Sequence, residues 1–519
     1  MKIIRNFFTV GTSILGSRIL GFIRETLMAS TLGIGAVTDA FVIAFSLPFL
    51  FRRLVAEGAF HNSFIPLFSH EKELNGTEGA QRFSSEIWSV LLTIVVVLTI
   101  VVELSLPLLI RFVIAPGFSY QSPEYYLTIQ LSQIIFPSII FIALTALITG
   151  ALYALGHYFV ASITPVFLNI PSIVALTYAL LNNSKPQDTV YFISCGMTLA
   201  SIIQLWVTYY YIRKSGIKIR FQYPRLTDNV RKFLKLTFPL IFTGAIIQIN
   251  SIIGRALATK EFGLASALQY ADRTYQLPIA IIGVAMGLVV LPELSRALKS
   301  KDKSTTFTLQ NQAIECVLFL SIPAFIILYI LSKEIIQTLY ERGAFTHENT
   351  LFVSSIISIY SIGIIAFILS KTLQTIFYAR KNMKTPMHFT LISVAVSCVI
   401  SIVLFPFIGG YGIACAEVAS GWVNAILLTV TLLRRKQLFL PMETIYRILS
   451  IFISSGLMGA FIILSKPYFF SNIAIEQTFF SQFTSLFAIL SFAVLVYLSS
   501  IALFIGKKYV SSFKKMMKK

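Results

Sequence analysis

Charge is what this chain lacks. Only 12% of its 519 residues are Asp, Glu, Lys or Arg, about half the share of an ordinary soluble domain. A surface so poor in charge cannot keep a compact chain of this length in water. A soluble enzyme is excluded, and with it a disordered or collagen-like chain. Cysteine is scarce too: Cys195, Cys316, Cys398 and Cys415 all lie in apolar stretches without paired spacing. They read as small core residues, not as disulfides or metal ligands. None of the five histidines stands three or four positions from another His or a Cys, so no metal site is expected. A His-Glu-x-x-His pair, a nucleophile elbow and an Asp-Asp-x-x-Asp cluster are all missing. That argues against an intramembrane hydrolase or prenyl-phosphate transferase, and no catalytic residue is assigned. Gly11-x-x-x-x-Gly16-Ser17 has the outline of a phosphate loop but lacks its lysine, and reads as helix packing.

What the chain has in plenty is hydrocarbon: 56% of it is hydrophobic, with runs such as Leu91–Val102, Ile314–Leu331 and Leu486–Ile505. A helix needs about 20 mostly apolar residues to cross a bilayer. Apolar runs read against charge, Pro and Gly give about fourteen spans, near 7–31, 37–56, 87–110, 127–153, 160–181, 189–211 and 234–257, then 264–291, 310–331, 351–378, 386–406, 412–433, 446–465 and 480–505. The expected fold is an all-α polytopic membrane protein. Lys2 and Arg5 ahead of apolar residues suggest a signal peptide, but Arg18, Arg24 and Glu25 interrupt the first span, which is expected to be retained.

Lys and Arg exceed Asp and Glu by 20. If the N-terminus is cytoplasmic, 31 of the 42 Lys and Arg fall on the cytoplasmic side, 6 on the other and 5 inside spans. This bias obeys the positive-inside rule and puts both termini in the cytoplasm. Basic stretches with aromatics, such as Tyr209–Arg225, then read as topology-fixing loops, and no nucleic-acid partner is expected.

The two halves look related. Asp39-Ala-Phe, Leu47-Pro48 and Pro66-Leu-Phe-Ser69 have counterparts in Tyr270-Ala-Asp272, Leu277-Pro278 and Pro292-Glu-Leu-Ser295, with the Leu-Pro pairs 230 residues apart. Such a repeat implies two six-helix bundles, 1–212 and 234–435, joined by a basic cytoplasmic linker, 213–233, and followed by two extra helices and a basic tail, 436–519. Repeated bundles rocking about a central site are a common transporter plan.

Some charges lie where hydrocarbon should exclude them. A basic side chain near the bilayer centre costs about 2.5–3.5 kcal/mol on the mildest scale. Arg18 and Arg24 lie in span 1, Arg255 in span 7, Arg273 in span 8, and Arg52 at the inner end of span 2. Glu25, Asp39 and Asp272 are the acids of these spans, and Glu25 shares a helix face with Arg18. Either these are internal ion pairs, or the surplus guanidinium charge awaits an anion such as phosphate, which Arg binds bidentately. Glu103, Glu315, Lys371 and Glu417 are isolated in sequence and read as snorkelling or locally bonded groups. The last two spans are lipid-facing padding or a groove for a long hydrocarbon tail.

Three stretches stand out: Ser17-Arg-Ile-Leu-Gly-Phe-Ile-Arg-Glu25, Thr38-Asp-Ala-Phe41 with Leu47-Pro48, and Arg52-Arg-Leu-Val-Ala-Glu-Gly-Ala-Phe60. With them the chain resembles the MurJ (MviN) family of lipid II flippases, within the multidrug/oligosaccharidyl-lipid/polysaccharide exporter superfamily. Tyr270-Ala-Asp-Arg273, Gln276-Leu-Pro278 and Glu341-Arg-Gly-Ala-Phe-Thr346 look like further signatures. The resemblance implies transfer of lipid-linked peptidoglycan precursor from the inner to the outer leaflet of a bacterial cytoplasmic membrane by alternating access. Arg18, Arg24, Arg52, Arg255 and Arg273 would line the central cavity that holds the pyrophosphate, and Glu25, Asp39, Asp272 and Glu57 would serve a gate or ion pairs. A sodium site of the family needs an acid that span 7 lacks beside Asn250, and span 11 offers only hydroxyls such as Ser397 and Ser401. That site is not carried over. No cofactor is expected, and the drive is membrane potential or an ion. Besides membrane lipids, cell-wall synthesis and division proteins are the expected partners. The alternatives are a polysaccharide-repeat flippase, a drug exporter, whose cavity would favour acids, and a membrane scaffold for cell-wall enzymes.

Overall fold

The computed structural model describes residues 2–55, 59–300, 302–470 and 479–505, and among them the regular structure is helical throughout. In chain order the α-helices are α1 (Lys2–Leu32), α2 (Ala36–Val55), α3 (Ala59–Leu109), α4 (Pro123–Ile135), α5 (Ser138–Ala154), α6 (Tyr158–Leu181), α7 (Pro186–Lys214) and α8 (Asp228–Ala258). They continue with α9 (Leu264–Lys299), α10 (Lys303–Ile330), α11 (Ser332–Tyr340), α12 (His347–Ala379), α13 (Lys384–Ile408), α14 (Gly410–Arg434), α15 (Met442–Phe470) and α16 (Phe479–Ile505). A π-helical turn, Ile110–Ile114, follows α3.

Each expected span coincides with a helix, the fourth being shared by α4 and α5. The sequence pattern passed over α11 and the polar first part of α3. Among the described residues, ten helices are long and apolar enough to cross a membrane. The long helices α1, α2, α8 and α9, which carry the buried-span charges, stand outside those ten.

Local chemistry sets the boundaries. Ser122, Thr227, Asp302 and Thr346 each precede a helix, and their side-chain oxygens accept a backbone N–H from its first turn, at Tyr125, Val230, Thr305 and Asn349. Such N-caps satisfy donors that the helix itself leaves open. The break between α4 and α5 falls at Pro137, which has no N–H to give and whose ring crowds the preceding turn. Gly76, at φ 64, bends α3 through a conformation that side chains resist.

The chain forms two compact units. The first comprises Met1–Ser266 and Arg342–Phe345. Within it α1 lies on α6, α6 on α7, α7 on α5, α5 on α3 and α3 on α8, while α2 packs on α4. The stretch 213–233, expected as a linker between bundles, belongs inside this unit. Arg220 N–H donates to Ser85 Oγ (3.1 Å), Gln222 N–H to Ser89 Oγ (2.8 Å) and the Thr227 hydroxyl to Glu86 (2.8 Å), so the segment is strapped to α3. α8 then packs on α3 and α2, which carries the unit through to Ser266.

The second unit comprises Ala267–Glu341 and Thr346–Lys519. Here α10 packs on α12 and α15, α12 on α14, α14 on α13, and α15 on α16. α15 is fixed near both ends. Glu315 of α10 accepts from the Thr444 hydroxyl (2.8 Å) and pairs with Arg447 (3.4 Å), and Lys466 pairs with Glu334 of α11 (2.8 Å). Lys466, one position past the expected span 446–465, thus lies inside α15.

Candidate functional site

The predicted site residues divide between the units. Arg18, Arg24, Glu25, Asp39, Arg52 and Arg255 belong to the first, Asp272 and Arg273 to the second. Glu57 lies outside the described residues.

In the first unit, α2 presents a ladder of phenylalanines at helical spacing: Phe41 stacks on Phe45 (5.8 Å between centroids), and Phe45 meets Phe49 (4.3 Å). Two arginines rest on it. The Arg24 guanidinium lies 5.4 Å from the Phe45 centroid, and that of Arg52 lies 4.6 Å from Phe49. The negative face of a ring attracts a desolvated cation by about 2 kcal/mol or more. The ladder therefore offsets part of the cost of holding guanidinium groups away from water. Sequence reasoning passed over Phe45 and Phe49, although their i, i+4 spacing beside Arg52 was a legible signal.

Arg24 is buried and its Nη2 donates to Glu25 Oε1 at 2.6 Å. Glu25 thus makes an ion pair with its sequence neighbour, because a guanidinium on three methylenes reaches around the helix. Arg18 itself is exposed. Further along the unit, Arg52 Nε and Arg255 Nη1 are sealed from solvent.

Asp39 is 2% exposed, and its carboxylate serves the start of α9. Oδ2 accepts from Gly263 N–H, while Oδ1 accepts from both the N–H and the hydroxyl of Ser266, each at 2.7 Å. This is a helix cap delivered from a distant helix: the carboxylate satisfies first-turn donors and faces the positive end of the helix dipole. Where a gate or ion-pair role was expected of Asp39, its donors are two backbone N–H groups, which carry no sequence signal, and the Ser266 hydroxyl. Of the Glu341–Thr346 signature, Arg342–Phe345 belong to the same unit. Ala344 N–H donates to Ser30 O (2.8 Å), and Gly343, at φ 59, lies so close to Ser30 O that a Cβ would collide with it.

In the second unit, Asp272 Oδ1 accepts from Gln276 Nε2 at 2.6 Å, one helical turn on. Arg273 next to it has its Nε sealed from solvent. Tyr275 OH donates to Glu417 Oε1 at 2.8 Å, and the Tyr275 and Tyr360 rings stack at 4.6 Å. Glu417 and Glu315, isolated in sequence, are thus bonded across helices. Among the described residues no group of three His, Cys, Asp or Glu side chains is placed to hold a metal ion.

The family model for the lipid II flippase MurJ matches residues 28–505. A protein of Rhizobium tropici named probable lipid II flippase MurJ is 47% identical over 463 residues, covering 89% of this chain and 87% of its own length. One of Rhizobium meliloti (strain 1021), with the same name, is 40% identical over 519 residues, covering 100% and 97%. Among solved structures, a lipid II flippase MurJ in an inward closed conformation matches with TM-score 0.79 and 28% identity, over 95% of this chain and 98% of that one. An inward-facing MATE family transporter of the MOP superfamily matches at TM-score 0.69 and 14% identity, over 80% and 94%, a likeness of fold alone. With a family model spanning nearly its whole length and close relatives covered almost end to end, the chain belongs to the MurJ family of lipid II flippases.

Proposed function

We propose that this chain moves lipid II, the lipid-linked peptidoglycan precursor, across a bacterial inner membrane without altering it chemically. The family match over residues 28–505 carries this reading. Both termini face the cytoplasm, as the charge bias favours.

The finer mechanism is alternating access. The pyrophosphate of the cargo is held by Arg18, Arg24, Arg52, Arg255 and Arg273. Two features support this role. Arg24 and Arg52 sit on a phenylalanine ladder that tolerates a desolvated cation, and Arg52, Arg255 and Arg273 each have a guanidinium nitrogen sealed from solvent. A doubly anionic head meets such groups with charge-assisted, bidentate hydrogen bonds. Glu25 competes with the cargo for Arg24, so the empty and loaded states differ in who holds that guanidinium. A ligand shifts a conformational equilibrium only by its differential affinity for the two states, and this exchange supplies one. The drive is membrane potential or an ion.

A leaflet-accessibility assay for lipid II tests the reading, in cells depleted of their own flippase and supplied with this chain. Lipid II reaching the outer leaflet supports it. Cells that stay blocked despite full membrane insertion of the chain defeat it. Loss of transfer on collapse of the membrane potential at constant ion gradients would identify the drive.

A further inference from the structure

The second unit holds a cavity unrelated to the arginines above. It opens where α9 and α14 end and α10 and α15 begin, beside the last turn of α12, and has a volume of about 1010 Å³. That is the size range of small-molecule pockets, roughly 300–1,000 Å³. Its wall is mainly apolar, with Leu298, Phe307, Leu433, Phe439 and Leu440, and Phe307 meets Phe439 edge to face at 6.5 Å.

Two cations complete the lining, Arg380 and Lys436, and no carboxylate does. Arg380 is held rigidly. Its Nη1 donates to Ile376 O (3.2 Å) and its Nη2 to Gln437 O (3.0 Å). With the Gln310 amide oxygen turned toward it, that oxygen accepts from both at 3.0 and 2.9 Å. All of these acceptors are neutral, so the guanidinium is positioned but its charge is not balanced. The neighbouring acid in sequence, Asp302, has both oxygens engaged by Thr305, whose N–H donates at 3.1 Å and hydroxyl at 2.5 Å. Lys299, Lys381, Arg434 and Arg435, each next in sequence to a lining residue, are exposed cations as well.

We infer that this cavity binds an anionic phospholipid, its phosphate at Arg380 and Lys436 and an acyl chain along the leucine and phenylalanine wall. Position and charge select this occupant. The cavity lies at the ends of α10, α12, α14 and α15, four helices long and apolar enough to cross a membrane, so it meets lipid at headgroup depth. Basic pockets at such helix ends suit anionic headgroups, and each cation adds about a factor of five in affinity. The chain's own tail beyond residue 505 is rich in lysine and would be repelled. This inference does not depend on the flippase reading.

The test uses the full-length protein, delipidated in detergent, with Phe439→Trp as reporter against the background of Trp88, Trp206 and Trp422. Phosphatidylglycerol and phosphatidylcholine, each brominated on one acyl chain, are titrated as quenchers. The expected result is saturable quenching by phosphatidylglycerol at several-fold lower concentration than by phosphatidylcholine, weakened about fivefold by Lys436→Gln. Arg380→Gln should weaken it further; should that variant unfold, Lys436→Gln, at an exposed position, still decides. Equal quenching by the two lipids, or no effect of Lys436→Gln, overturns the inference. Displacement by millimolar inorganic phosphate would make this a free-phosphate site, and preference for undecaprenyl pyrophosphate a cargo site; either overturns it too.

Discussion

Asp39 Oδ1 accepts two hydrogen bonds from Ser266, one from the backbone N–H and one from the hydroxyl, both 2.7 Å long. The two residues are 227 positions apart, and with Gly263 they make Asp39 the cap of a helix it does not belong to. Asp39→Ala strands buried donors and should cost about 1–3 kcal/mol. Asp39→Asn keeps an acceptor and should cost clearly less, since Asn caps about as well as Asp. Thermal unfolding of the purified variants in detergent measures this. Equal losses for both would show that the cap is not what Asp39 supplies.

The close approach of Gly343 to Ser30 makes a second, independent prediction. Its φ of 59 costs any side chain about 1–2 kcal/mol, and a Cβ there would also strike a backbone carbonyl that cannot yield like a side chain. Gly343→Ala should therefore loosen residues 342–345 from α1. Hydrogen exchange at the Ala344 amide is the readout: protection should fall in the variant. Unchanged protection would mean that the Ala344 to Ser30 bond survives and that the backbone has room to spare.

Arg24 and Glu25 allow structure to be separated from transport. Arg24→Ala leaves a 2% exposed carboxylate without this partner, which typically destabilises by about 3–5 kcal/mol. Adding Glu25→Gln should restore most of that stability. If Arg24 also holds pyrophosphate, the stable double variant will still fail to complement a flippase-depleted strain. Complementation by the double variant would leave Arg24 a purely internal role.

The attachment of α15 can be tested at its N-terminal end. Arg447→Ala removes the cation beside Glu315, which is 1% exposed, and should cost about 3 kcal/mol. Arg447→Lys should recover part of it. Protease accessibility of the α14 to α15 connection should rise in the first variant and not in the second.

Much of this molecule can be read from its sequence, because hydropathy is a local property. A lipid-facing helix such as α13 announces itself in any window, and the apolar core of α3 did so as well. The first part of α3 did not, since a polar helix broken at Gly76 resembles a loop to any hydropathy count. Charges inside apolar runs marked Arg24, Glu25, Arg52 and Asp39, but not the ring that Arg52 meets or the donors that Asp39 serves. Phe45 and Phe49 look like ordinary core residues until a guanidinium is found on them. The donors to Asp39 include backbone groups, identical in every residue. The pairing of Glu25 with Arg24 depends on side-chain reach, which a helical wheel leaves out.

The two fastenings of α15 bear on what can be cut away. Glu315 and Glu334 are both buried, and both are neutralised by cations that α15 supplies. A chain stopped after α14 would take both of those cations away from the carboxylates on α10 and α11. The C-terminal pair of helices is therefore tied to its unit by charge as well as by packing, and trimming from that end breaks both fastenings.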